Sequence, residues 1–108
     1  MTRLRSRLLV DLLLRSAGAR GGFAAVLAHG DDHGGAILVQ CCNRGQPGPL
    51  LERQFNGVWG GVGPALGASE GEQAAYVARR RAVDPDLWLI ELDIVDAPRF
   101  VVELNPVT

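Results

Sequence analysis

Glu91 and Asp93, in "DLWLIELD" (86–93), stand two residues apart where apolar and polar side chains alternate. On a strand their carboxylates share one face at roughly 6 to 7 Å, a spacing at which a general acid and a general base can flank a substrate. Asp86 in the preceding turn and Arg99 on the segment that follows complete a set of four candidate ligand-binding residues. An enzyme or small-ligand protein built on them would gather Asp86, Glu91, Asp93 and Arg99 around a cleft. The competing reading is architectural. Exposed charges on an outer strand suppress edge pairing, Arg99 on a returning strand would pair with Asp93 or Glu91, and aspartate in a turn usually bonds local backbone.

A second cluster, His29, Asp31, Asp32 and His33, offers imidazole and carboxylate groups of the kind that hold zinc or nickel. It falls at the tip of an expected hairpin, where an exposed polar turn explains the same residues. With residue 29 pairing near 35, Cys41 would lie opposite Phe23, some 20 Å along the strand from His29, so the thiols cannot join the set. Cys41 and Cys42 are adjacent and should point to opposite faces of a strand as free thiols. No metal and no cofactor is assigned.

Other stretches carry less. Arg79, Arg80 and Arg81 are consecutive, so on a helix they fan out by about 100° each and cannot grip one phosphate backbone together. They read as cations complementing a helix C-terminus. "GVWGGVG" (57–63) has glycines but neither the lysine nor the helix of a phosphate loop. Ser6, Ser16 and Ser69 lack a nucleophile elbow. Trp59 and Trp88 read as core or interface anchors.

Several elements must position these groups. Leu4, Leu8, Leu12 and Leu9, Leu13 recur at helical spacing beside a seam of Arg3, Arg7, Asp11 and Arg15, with Thr2 as a cap and an end by Gly18. "FAAVLAH" (23–29) and "GAILVQCC" (35–42) flank "GDDHG" as a hairpin of two central strands. "NRGQPGP" (43–49) is a loop by composition. "LLERQF" (50–55), Asn56-Gly57 and "VWGG" form a second hairpin. Ser69-Glu70-Gly71-Glu72 has the spacing of a capping box. It opens a helix to about Val83 that buries Ala74, Ala78 and Ala82 as a small-residue stripe, and Pro85 stops it. Trp88, Ile90, Leu92 and Ile94 form one face of a strand, and Phe100, Val102 and Leu104 alternate on a returning one. The order is αββββαββ, a single compact α+β domain over 1–108 with a mostly antiparallel sheet and two helices.

Totals set the class. The 108 residues are 47% hydrophobic and 21% charged, a globular composition for one core. Eleven basic and twelve acidic residues give a charge of −1, with no field to attract nucleic acid or a membrane surface. The N-terminal apolar run is broken by Asp11 and falls short of the ~20 residues of a span. Two cysteines without a CxxC spacing suit a reducing cytoplasm.

Three stretches, "RLRSRLLVDLLLR", "GGFAAVLAHGDDHGGAILVQ" and "YVARRRAVDPDLWLIELD", resemble in order and spacing a family of small bacterial proteins, domain of unknown function family 1491. "DPDLW" followed by two aliphatics and Glu91 is the most specific part. The resemblance implies a compact cytosolic bacterial domain and no particular reaction. It also implies arginine where this chain has His29 and no histidine at His33, which weighs against a metal there, and it leaves the Cys41-Cys42 pair peculiar to this chain.

The residues therefore favour a non-enzymatic interaction domain, self-associating as a homo-oligomer through Leu9, Leu13 and Leu14 of the leucine-rich helix or binding an unknown protein partner. The alternatives are the ligand site at Asp86, Glu91, Asp93 and Arg99, and a weak metal site at the His29–His33 tip. If "DPDLWLIELD" is architecture, Trp88→Ala costs about 3 to 5 kcal/mol, whereas Glu91→Gln changes stability by about 0.5 kcal/mol or less. Urea melts of both variants decide it: a larger loss from Glu91→Gln would identify a buried, specifically paired carboxylate.

Overall fold

The computed structural model describes residues 5–54, 57–64 and 69–104; Thr2 and Asn56, both given roles above, lie outside them. Helix α1 spans Ser6–Ala19, followed by strands β1 (Phe23–Ala28), β2 (Ile37–Asn43), β3 (Gln46–Arg53) and β4 (Trp59–Val62). Helix α2 (Glu70–Val83), strand β5 (Trp88–Asp93) and helix α3 (Ala97–Leu104) complete the domain. It is a single compact α+β domain, but its sheet is mixed and the described residues form three helices. The strand order is β1-β5-β2-β3-β4, with β5 antiparallel to β1 and parallel to β2.

This order corrects the first expected hairpin. β1 and β2 do not pair, because β5 lies between them, so Phe23 stands beside Asp93 and Cys41 beside Leu92. Local pattern favoured the nearest strand as partner. The strand with the strongest alternation, β5, buries Trp88, Ile90 and Leu92 and wins the central position. β5 is therefore an interior strand and not the outer one that the charges suggested.

The connection from β1 to β2 must pass across the start of β5, and backbone bonds fix it there. Asp31 N–H donates to the Asp86 carbonyl (3.0 Å), and Trp88 N–H donates to the Ala36 carbonyl (2.8 Å). The Trp88 indole N–H donates to the Asp31 carbonyl at 2.7 Å, which satisfies the polar end of a side chain only 1% exposed. The approach is close enough that a Cβ on Gly30 or Gly35 would fall on the Asp86 carbonyl oxygen.

One face of the sheet holds the core. Ile37, Val39, Cys41, Leu51, Trp59 and the buried residues of β5 pack against Leu9, Val10, Leu13 and Ala17 of α1 and Ala97, Phe100 and Val101 of α3. α3 replaces the expected returning strand. "PRFVVEL" fits both periods, as short apolar runs do, but Ala97, Phe100 and Val101 have helical spacing and are the residues buried. Pro98 is tolerated in the first turn, and Arg99 pairs with Glu103 four residues on (2.7 Å), not with Glu91 or Asp93.

α2 lies on the opposite face and begins as expected, with Ser69 Oγ accepting the Glu72 N–H at 3.2 Å. Its packing differs from expectation. No residue of α2 is buried, and Ala74, Ala78 and Ala82 are exposed. Polar contacts hold it. Arg80 grips Glu52 of β3 with two bonds of 2.8 Å and also donates to the Tyr76 hydroxyl, while Gln73 donates to the Gly48 carbonyl at 2.8 Å. This bidentate geometry is the strong form of the Arg–carboxylate pair. Arg80 thus serves its own sheet.

The 43–49 segment is also more ordered than its composition suggests. Arg44 (φ 52°) and Gly45 (φ 80°) form a two-residue turn from β2 into β3, with the positive φ values that a type I′ hairpin requires. The expected second hairpin holds as an antiparallel pairing of β3 with β4, with Gly57 at φ 86° between them.

The crossing of the 29–36 loop over β5 predicts a contrast between neighbouring glycines. Gly35→Ala forces the backbone away from Asp86 and costs about 1 to 3 kcal/mol. Gly34→Ala, with open space around its Cα, is neutral or stabilises by up to about 1 kcal/mol. Denaturant melts of the two variants read the difference, and equal midpoints would refute the crossing.

Candidate functional site

The four carboxylate and arginine candidates do not converge. Asp93 holds a turn: its two carboxylate oxygens accept the N–H groups of Arg44 and Gly45, each at 2.8 Å. Those charge-assisted bonds offset the strain of a left-handed arginine. Asp86 is exposed in the turn after α2, and the local backbone bond foreseen for it belongs to Asp84, whose Oδ1 accepts the Asp86 N–H (3.1 Å). Arg99 lies on α3, on the core side of the sheet, paired with Glu103. Glu91 faces an open concavity on the sheet face that carries α2, and Arg99 lines a separate, smaller one beside α3.

The His29–His33 cluster has a structural task. The helix N-terminus leaves backbone N–H groups without intrahelical partners, and this loop supplies them: the Ser6 and Arg7 N–H groups donate to the carbonyls of His33 (3.4 Å) and Asp32 (3.0 Å). Ser6 Oγ donates to the Gly35 carbonyl at 2.6 Å. The Asp31 carboxylate accepts the N–H groups of His33 and Gly34. The Gly34 bond, foremost, holds its pKa below the ordinary carboxylate value. His29 lies over the Trp88 ring with centroids 4.1 Å apart and reaches Asp32 Oδ1 at 3.1 Å. Among the described residues, no three His, Cys, Asp or Glu side chains gather as a metal-binding group.

The leucines expected to join two subunits are enclosed by their own chain. Leu9 and Leu13 are 1% exposed and Leu14 packs against the core, so α3 and the sheet cover the surface that seemed in excess. The exposed leucine of α1 is Leu8.

What sequence reasoning missed is a groove. Because Arg80 and Gln73 hold α2 over β3, a trough of about 430 Å³ stays open between α2 and strands β1, β5 and β2. Leu27, Leu89, Val77, Ala74, Ala78 and Pro47 supply apolar walls. Glu91 and Gln40 stand side by side in register on the floor, with Glu70 and Arg81 eleven positions apart along the helix, ~16 Å at 1.5 Å per residue. Among the described residues, Glu91 makes no hydrogen bond or ion pair within the chain. The signal available in the sequence was Leu89 beside Glu91, an apolar residue on the strand's polar face.

Cys42 opens onto this groove while Cys41, on the other face, is in the core. Both are free thiols, on opposite faces as adjacency on a strand requires. Burial raises the Cys42 pKa, with Glu91, Asp93 and Glu70 adding to it, and burial together with Cys42 pushes Cys41 up to about 12. A thiol raised in the folded state stays protonated there while the unfolded chain ionises, so stability is intact below the ordinary thiol range and falls as pH rises toward 12. The chain has no lysine and a single tyrosine, so few other groups titrate there. Wild-type stability should fall by about 1.4 kcal/mol per pH unit above the ordinary thiol pKa through Cys41. Cys41→Ala, weaker at neutral pH, should show a visibly flatter decline in urea melts between pH 8 and 11; parallel curves would disprove the burial of that thiol.

No described helix is long and apolar enough to cross a membrane. A search of curated proteins found no match. Among solved structures, a DUF1491 family protein from Caulobacter crescentus CB15 is similar at 30% identity, with a TM-score of 0.73 over 86% of this chain and 88% of that one. Protein Atu0922 from A. tumefaciens, solved in solution, is similar at 30% identity and a TM-score of 0.66, over 86% and 87% of the two chains. The family model described as "Protein of unknown function (DUF1491)" matches residues 4–102, nearly the whole chain. By its sequence and its fold alike, the chain belongs to the DUF1491 family of proteins of unknown function.

Proposed function

We propose that this protein is a binding module and not an enzyme, and that the groove beside α2 receives a short extended segment of a partner protein. The segment is apolar along its length and carries a lysine or arginine that meets Glu91. One observation carries the reading: a carboxylate without a partner among the described residues stands on the floor of an apolar trough. In such a place a cationic group gains a charge-assisted bond that water competes for poorly. The volume lies within the range of ligand sites, and the ~16 Å from Glu70 to Arg81 matches about five residues of extended chain at 3.3 Å each. The separate engagements of Asp93 in the Arg44 turn and of Arg99 with Glu103, and the protonated state that burial favours for Cys42 beside Glu91, support binding over catalysis. Two free thiols suit a reducing compartment, and we place the module in the cytoplasm.

Selection of a random twelve-residue peptide library on the intact protein tests this. The expected binders carry a basic residue next to apolar ones. Glu91→Gln weakens them about tenfold, a loss of some 1.4 kcal/mol, and Ala78→Trp, which fills the groove from an exposed helical position, abolishes binding. Peptides that bind both variants as well as the wild type would sink the proposal.

A further inference from the structure

We infer that β1 is a self-pairing seam at which two copies of this chain join their sheets edge to edge, antiparallel about a twofold axis at Ala25. The inference rests on the free edge of β1 and not on an occupant of the groove, although Leu27 borders both. β1 ends the sheet, with β5 on one side only, and among the described residues no backbone hydrogen bond ties it to any other element. Such an edge is a template for another strand unless charge, proline or shortness blunts it. Its sequence, Phe23-Ala24-Ala25-Val26-Leu27-Ala28, has neither charge nor proline. The opposite edge, β4, is only four residues long and contains two glycines.

The exposed side chains point to a second copy as the occupant. Phe23 (57% exposed) stands beside Asp93 on the sheet face that carries Glu91, and Leu27 (55%) lines the groove on that same face. An axis at Ala25 sets Phe23 of each copy opposite Leu27 of the other, so the two most exposed apolar residues of the strand cover one another twice. No charged residue lies between Phe23 and Ala28, so the paired strands set no like charges against one another. A bulge between Val26 and Ala28 confines the regular ladder to a few residues. A contact of one strand from each copy falls below about 1,200 Å², the class of weak and reversible interfaces.

Sedimentation of the intact protein across ~5 to 500 µM, the range in which such interfaces dissociate, should show a reversible monomer–dimer equilibrium. Phe23→Arg alone and Leu27→Glu alone each weaken it about tenfold or more, because each sets two charges against apolar partners. The double variant Phe23→Arg/Leu27→Glu restores it, because each new arginine then faces a new glutamate across the axis. Circular dichroism confirms that all three variants keep the fold. A monomer throughout the range, a dimer indifferent to both single substitutions, or a double variant no better than the singles would each overturn the seam or its register. Glu91→Gln, which reports on the groove floor, leaves this equilibrium unchanged.

Discussion

The insertion of β5 between β1 and β2 is the constraint on which the rest of the molecule depends. Two strands that are neighbours in sequence are held apart by one that follows them by some fifty residues, so the loop joining them has to cross the start of that strand. The crossing is possible because Gly30 and Gly35 let backbone meet backbone at Asp86. It is fixed because Trp88 anchors β5 from below while its indole N–H holds the loop from the side. The same loop then offers its carbonyls to the start of α1. One short segment therefore closes the sheet and caps a helix. The histidines and aspartates that looked like ligands are there because such a crossing needs turn-forming, hydrogen-bonding residues.

The two sheet faces differ because their helices are held by different forces. α1 and α3 bring apolar residues at helical spacing and close the core completely. α2 brings few, and its position is set by Arg80 on Glu52 and Gln73 on Gly48. A helix held by directional polar bonds to one side of a sheet need not cover the other side. The uncovered strip over β1, β5 and β2 is the groove, and Glu91 stands in it because β5, as an interior strand, carries its alternate side chains to both faces. The position of Glu91 is thus a consequence of topology, while Asp93, two residues on, is drawn into the turn at Arg44.

How much could be read beforehand depended on the range of the interaction involved. Local signals held: the Ser69 cap, the stop at Asp84-Pro85, the hairpin at Gly57, the alternation through β5 and the opposite-facing thiols each follow from backbone chemistry within a few residues. The character of the chain was equally legible, as an α+β domain of the family carried by "DPDLW" and its neighbours. Pairing was not. Which strand lies beside β1, whether "PRFVVEL" is strand or helix, and which face of α2 touches the sheet depend on contacts between residues far apart in sequence. At each of these points the sequence permitted two answers of similar local merit. The tertiary structure chose between them by burial: Phe100 and Val101 go inside together only as a helix, and Trp88, Ile90 and Leu92 are best covered when β5 has a strand on either side. The sequence by itself determined the first helix, the capped start and proline stop of α2 and the alternation of β5, since those are settled by neighbours along the chain. Only the tertiary structure decided that Glu91 has no partner among the described residues while Asp93 and Asp31 are used up in turns, because that depends on which backbone groups the fold brings within reach.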